Sequence, residues 1–195
     1  MVPPAATSMQ ETRQGGSSLA SSNTGTGSTS DTVASDTVAS SPSSTSLSDD
    51  QILYVLHAAN LAEMDQARMA QKKAKNGRVK RFAGMMLKDH GEADAKGNDV
   101  AKKVNASLAP SETSKRLESD AKQVSSNIAT PKGADFDRAY IDGQVKEHRA
   151  LLEAIDREFL PAVRSSDLKE LLQTVRASVD NHLKEAEQIQ KGLGG

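Results

Sequence analysis

Four residues spread along the chain, Glu63, His90, His148 and His182, have side-chain types that ligate transition metals. Each interrupts an otherwise apolar helical stripe. With residues placed at about 100° intervals, Glu63 falls about 20° from Leu56, His90 about 40° from Met86, and His182 about 20° from Val175. His148 lies between Ile141, Leu152 and Ile155. A polar group on a face that must be buried needs a partner, and an ion shared by all four would supply one. Three neutral imidazoles satisfy a borderline ion, while one carboxylate offsets part of its charge in a low-dielectric core. Zinc, iron(II), manganese or copper(II) would suit that donor set, with zinc or iron foremost. The competing account is a set of core histidines, each hydrogen-bonded to a neighbour, with Glu63 paired to one of them as imidazolium.

Counting from the turns matches the four in depth. Around a first turn centred near Asn76, Glu63 lies 13 residues before and His90 lies 14 after. Around a second near Ser165, His148 and His182 each lie 17 residues away. Equal distances from the turn of an antiparallel hairpin mean equal height, because each helical residue rises about 1.5 Å. One layer holding all four is the expectation. A ferritin-type di-iron centre would need Glu-x-x-His on two helices. The residues three before the histidines are instead Leu87, Val145 and Val179, so dinuclear carboxylate chemistry is not supported.

Other polar residues fit lesser roles. Asp89, Glu147 and Asp94 could brace the histidines from behind, or be ordinary helix-surface charge. His57, about 100° from the stripe centre, reads as a boundary residue. Asp137 lies on a buried stripe but 11 residues before His148, too far along the axis to share its site. Near its helix start it reads as a holder of backbone N–H groups or of an arginine. Met64, Met85 and Met86 read as core filler rather than a copper(I) site. No nucleophile constellation, Gly-rich phosphate loop or carboxylate pair in a cleft is legible, so enzymatic activity is the weakest reading.

Positioning such a layer requires long amphipathic helices, and the sequence supplies them. Ser48 with Asp49 and Asp50 is a helix start. A stripe from Ile52 and Leu53 through Ala74 follows, closed by Asn76-Gly77. A second runs from Val79 and Phe82 to Leu108, ending at Pro110. Ser111 to Ala129 reads as a shorter, more polar helix. A further stripe, Ile141 to Ala162, ends around Pro161, and the last runs from Leu168 to Ile189 with Gly192 beyond it. Strand alternation is nowhere convincing. The expected class is all-α: an antiparallel four-helix bundle with an extra short helix between the second and third long ones.

Composition sets the domain boundaries. Residues 1–48 hold 22 Ser or Thr, four charges and no aromatic residue, whereas all five aromatics lie beyond them. This segment reads as a disordered linker before a bundle over residues 49–192. Within it Asp31–Ser35 repeats directly as Asp36–Ser40, too short a period for a solenoid. The start, Met1-Val2-Pro3-Pro4, does not read as a signal peptide. A Ser/Thr-rich spacer nevertheless suits an exported protein, and a cytoplasmic protein with a floppy end is the competing reading. No apolar run approaches the 18 or so residues of a membrane helix. The chain contains no cysteine, which excludes disulfides and thiolate metal sites. A net charge of −1 argues against bulk attraction to nucleic acid.

Several stretches carry a resemblance. Asn60-Leu61-Ala62-Glu63, then Phe82-Ala83-Gly84-Met85-Met86-Leu87-Lys88-Asp89-His90, resemble the ferritin-like bacterial domain-of-unknown-function family number 4142. So do Phe136-Asp137-Arg138-Ala139-Tyr140, Val145-Lys146-Glu147-His148 and His182-Leu183. The resemblance runs from about Ser48 to Ile189. It departs where Ala177-Ser178-Val179-Asp180 stand in place of the family's Leu-Pro ahead of the last histidine. It implies a ferritin-like four-helix bundle and a periplasmic or secreted location, without an activity.

Two functions compete: a metal-binding bundle that stores, buffers or senses a transition ion, and a non-catalytic structural or interaction module tethered by its linker. A homo-oligomer is compatible with either. Lys72, Lys73, Lys75, Arg78, Lys80 and Arg81 around the first turn could touch anionic membrane headgroups. A solvated turn, with cations favoured at a helix C-terminus, is the alternative.

Overall fold

Ser48 opens the first helix as expected, accepting a hydrogen bond from the Gln51 N–H while the Gln51 side chain reaches back to the Ser48 N–H. The computed structural model describes residues 46–194; residues 1–45, most of the expected linker, and residue 195 lie outside the described residues. Leu47 is already part of the core, in the same cluster as Ile52 four positions into the helix, the placement of a hydrophobic staple.

Every regular element among the described residues is helical, with no strand among them. The elements are α1 (Asp49–Lys73), α2 (Gly77–Lys103), α3 (Glu112–Ala129), α4 (Gly133–Ala154), a π-helical turn (Ile155–Phe159), α5 (Leu160–Ala162) and α6 (Ser166–Leu193). None is long and apolar enough to cross a membrane. Helix α1 packs along α2 and α4 along α6, while α2 also meets α6 and α1 meets α4. Helix α3 lies against both α1 and α4. A Cβ on Gly143 of α4 would stand 2.4 Å from a methyl of Val124, so glycine there is what lets α3 approach.

Two boundaries differ from the sequence reading, and the stripe ending at Pro161 contains a π turn. Asn76 does not end α1, which stops at Lys73; it caps α2, its side chain accepting from the Arg78 N–H. Helix α2 stops at Lys103 rather than running to Leu108. Asn105 adopts φ +53° and the amides of Asn105 and Ala106 turn back to the carbonyls of Lys102 and Ala101, the Schellman closure. Before Pro161 the helix widens into the π turn, the Leu160 N–H bonding to the Ile155 carbonyl. Pro161 has no N–H and would clash with the carbonyl four residues back; the wider turn accommodates it while Ile155 and Phe159 stay buried.

The hydrophobic core falls into two clusters. One takes Leu53 and Leu56 of α1, Leu151 of α4 and Val175 and Val179 of α6; the other takes Ala67 and Ala70 of α1, Met86 of α2, Val145 of α4 and Ala186 of α6. Between them on every long helix stands buried polar material: Asn60 and Glu63, His90, His148, His182. The expected polar layer therefore divides the core in two.

Two aspartates clasp the hairpin turns. Asp137, buried near the start of α4, accepts from the N–H groups of Lys75 and Asn76 in the α1–α2 turn, the backbone-holding role read from its position. Asp49, at the start of α1, accepts from those of Arg164 and Ser165 in the α5–α6 turn. Lys73 closes the C-terminus of α3, donating to the carbonyls of Ile128 and Ala129, and lies 4.8 Å over the Phe136 ring.

Candidate metal centre

Helices α2, α4 and α6 each deliver one imidazole to the same point. His90, His148 and His182 are buried, and one nitrogen of each lies within 4.8 Å of the others. Their ring centroids are 5.3 to 5.8 Å apart. Each ring is held by one nitrogen and left without a partner at the other. His90 Nδ1 lies 2.9 Å from Asn60 Oδ1, His148 Nδ1 donates to the Gln144 carbonyl at 2.9 Å, and His182 Nε2 lies 3.0 Å from Asp89 Oδ2. The partnerless atoms are His90 Nε2, His148 Nε2 and His182 Nδ1.

Buried nitrogens without partners are costly, and burial makes these rings poor bases. The His90 imidazole is pushed down to about 3 by burial, with the nearby His182 second. His148 is held well below the usual histidine range, chiefly by burial and then by His90 and His182. Both are therefore neutral near pH 7, the form that ligates a metal. Nitrogens about 2 Å from a zinc-like ion stand roughly 3.3 Å apart. The trio's nitrogens, within 4.8 Å of one another, would close by up to about 1.5 Å to reach that spacing.

Glu63 shares the layer but not the trio. Its Oε1 lies 3.6 Å from His148 Nδ1, the nitrogen already turned to Gln144. Burial raises the Glu63 carboxyl to about 7 against the opposing pull of Gln144, so the two are not an imidazolium–carboxylate pair at mildly acid pH. Asp89 does brace a histidine. Burial pulls its carboxyl up, but hydrogen bonds to His182 and Lys88 outweigh that and hold it below the ordinary value. Asp94 instead meets His57 at 2.7 Å, away from the trio.

A family model, Domain of unknown function (DUF4142), matches residues 34–189. The chain belongs to the DUF4142 family. No curated protein and no solved structure matches it. The match takes in all four residues singled out by spacing and begins upstream of Ser48, inside the segment read as linker.

Around its histidines this DUF4142 chain carries buried polar residues that the spacing argument passed over. Gln144 Nε2 donates to Gln66 Oε1 at 2.9 Å, and Gln66 Nε2 to Glu147 Oε1 at 2.8 Å. Glu63 and Glu147 line one cavity between α1, α3 and α4, a carboxylate pair the sequence reading did not find. Glu147 is raised to about 10 by burial first and Glu63's charge second. The one sequence signal for Asn60, Gln66 and Gln144 is weak: each is an uncharged polar residue within three or four positions of Glu63 or His148.

Proposed function

We propose that this DUF4142 protein binds a transition-metal ion, zinc or iron, on His90, His148 and His182 within a ferritin-like four-helix bundle formed by α1, α2, α4 and α6. The carrying observation is that three buried imidazoles offer nitrogens within 4.8 Å of one another, each ring holding a hydrogen-bond partner at one nitrogen and none at the other. That is the arrangement in which outer partners orient metal-binding histidines. Glu63, beside His148, contributes nearby negative charge or joins the ion by a side-chain swing. The Ser/Thr-rich segment and the location implied by the family resemblance support storage, buffering or sensing of the ion in the cell envelope.

Metal analysis of the purified protein tests the reading. Substoichiometric to stoichiometric zinc or iron is expected, with a melting temperature that drops on chelation, because a ligand bound only by the folded state stabilises it. His90→Ala combined with His148→Ala should abolish both. Unchanged metal content and melting temperature in that variant would sink the proposal.

A further inference from the structure

Three imidazoles leave a divalent ion one donor short of a tetrahedral set. Among the described residues no fourth metal-capable side chain completes the trio. The adjacent carboxylates sit on outer nitrogens, Asp89 on His182 Nε2 and Glu63 near His148 Nδ1. Meanwhile a cavity of about 150 Å³ opens between α2 and α6, lined by His90 and His182 but not by His148. Its buried wall includes Asn60 and the two histidines, and its outer rim includes the exposed Glu92, Lys96 and Thr174. At about 30 Å³ per liquid water, this space holds a few small molecules.

We propose that the three-histidine site keeps its fourth position open toward the α2–α6 cavity and carries an exchangeable small ligand there. The ligand is water or hydroxide, replaceable by a small monodentate anion. This rests on the metal-binding reading above. Neutral imidazoles leave the ion's charge unbalanced among its direct ligands, which favours an anion in the remaining position. The cavity is wide enough for such an anion, and Ser178 and Thr174 give it a polar wall that water can wet. Closed structural sites use four protein donors, whereas sites that exchange ligands keep a position free. Three protein donors beside a cavity with a polar wall match the second kind.

Cobalt(II) loading followed by sodium azide titration separates the outcomes, since cobalt's visible bands report its coordination. A saturable spectral change on azide addition is expected. Failure to take up cobalt would remove the metal reading itself. Cobalt uptake that depends on His90 and His148, with bands indifferent to azide, would overturn the open position alone. Bands that respond to azide only in Glu63→Gln would put Glu63 in the fourth place and also overturn it. Ser178→Phe, which plugs the cavity from α6, should weaken azide binding at least about tenfold with cobalt content unchanged. Thr174→Trp is a second plug at the exposed rim, for use if the first variant misfolds. Unaltered azide affinity in a folded, cobalt-loaded plug variant would overturn this route.

Discussion

At the scale of single residues, what distinguishes the centre is that each histidine has one nitrogen fixed and the other free. Asn60 shows how much that matters. It sits on α1, which gives the trio no histidine, and orients His90 across the helix interface. Asn60→Ala should therefore weaken metal binding by about 10–100-fold while leaving all three imidazoles in place; competition with a chromogenic chelator measures it. The histidines themselves were legible because a titratable group on an apolar stripe stands out at 100° spacing. The amides were not. Asn60, Gln66 and Gln144 bear no charge, and each has a partner on another helix 30 to 81 residues away, a pairing that face-counting cannot supply. Counting also placed Glu63 at the right height without revealing that it faces the outer nitrogen of His148.

At the scale of elements, helix positions were read well where capping chemistry was strong and less well where it was subtle. Ser48 and Ser111 both form capping boxes and start their helices as read. The apolar stripe of α2 continues past its end because Val104 and Leu108 keep the period, while Asn105 takes the left-handed conformation that stops the helix. The π turn adds one residue to a turn, which a fixed 3.6-residue period does not register. Helix α3 depends on Gly143. Gly143→Ala should cost about 1–3 kcal/mol in denaturant unfolding, since Val124 is β-branched and has little rotamer freedom to move aside. Gly84→Ala, where the added carbon meets only the end of Gln71, should be close to neutral or stabilising. Val124→Ala in the Gly143→Ala background should recover part of the loss, and no recovery would mean that the crowding lies elsewhere.

For the molecule as a whole, the buried layer sets the pH profile of the chelator-treated protein. His90, lowered from 6.5 to about 3, and His148, also lowered, are both depressed mainly by burial. The unfolded chain protonates first, so their contribution is full above about 6.5 and is lost as pH falls toward the folded values. Glu63 and Glu147, raised from 4.5 to about 7 and about 10 mainly by burial, act oppositely. Their contribution is full below about 4.5 and is lost as pH rises toward those folded values. The melting temperature is thus expected to be flattest between about pH 4.5 and 6.5, falling on the acid side through the histidines and on the alkaline side through Glu147. Glu147→Gln should flatten the alkaline limb; an equally steep fall from pH 7 to 9 in that variant would show that Glu147 is not its source.

The aspartate clasps carry a consequence for how the chain comes apart. Asp137 completes a turn belonging to α1 and α2, and Asp49 completes the turn leading into α6. Severed in the α2–α3 loop, neither half would contain the carboxylate that satisfies its own bend. Each hairpin finishes the other, so neither can peel away without stripping amides in both. Protease or denaturant then meets one interlocked body rather than two separable halves.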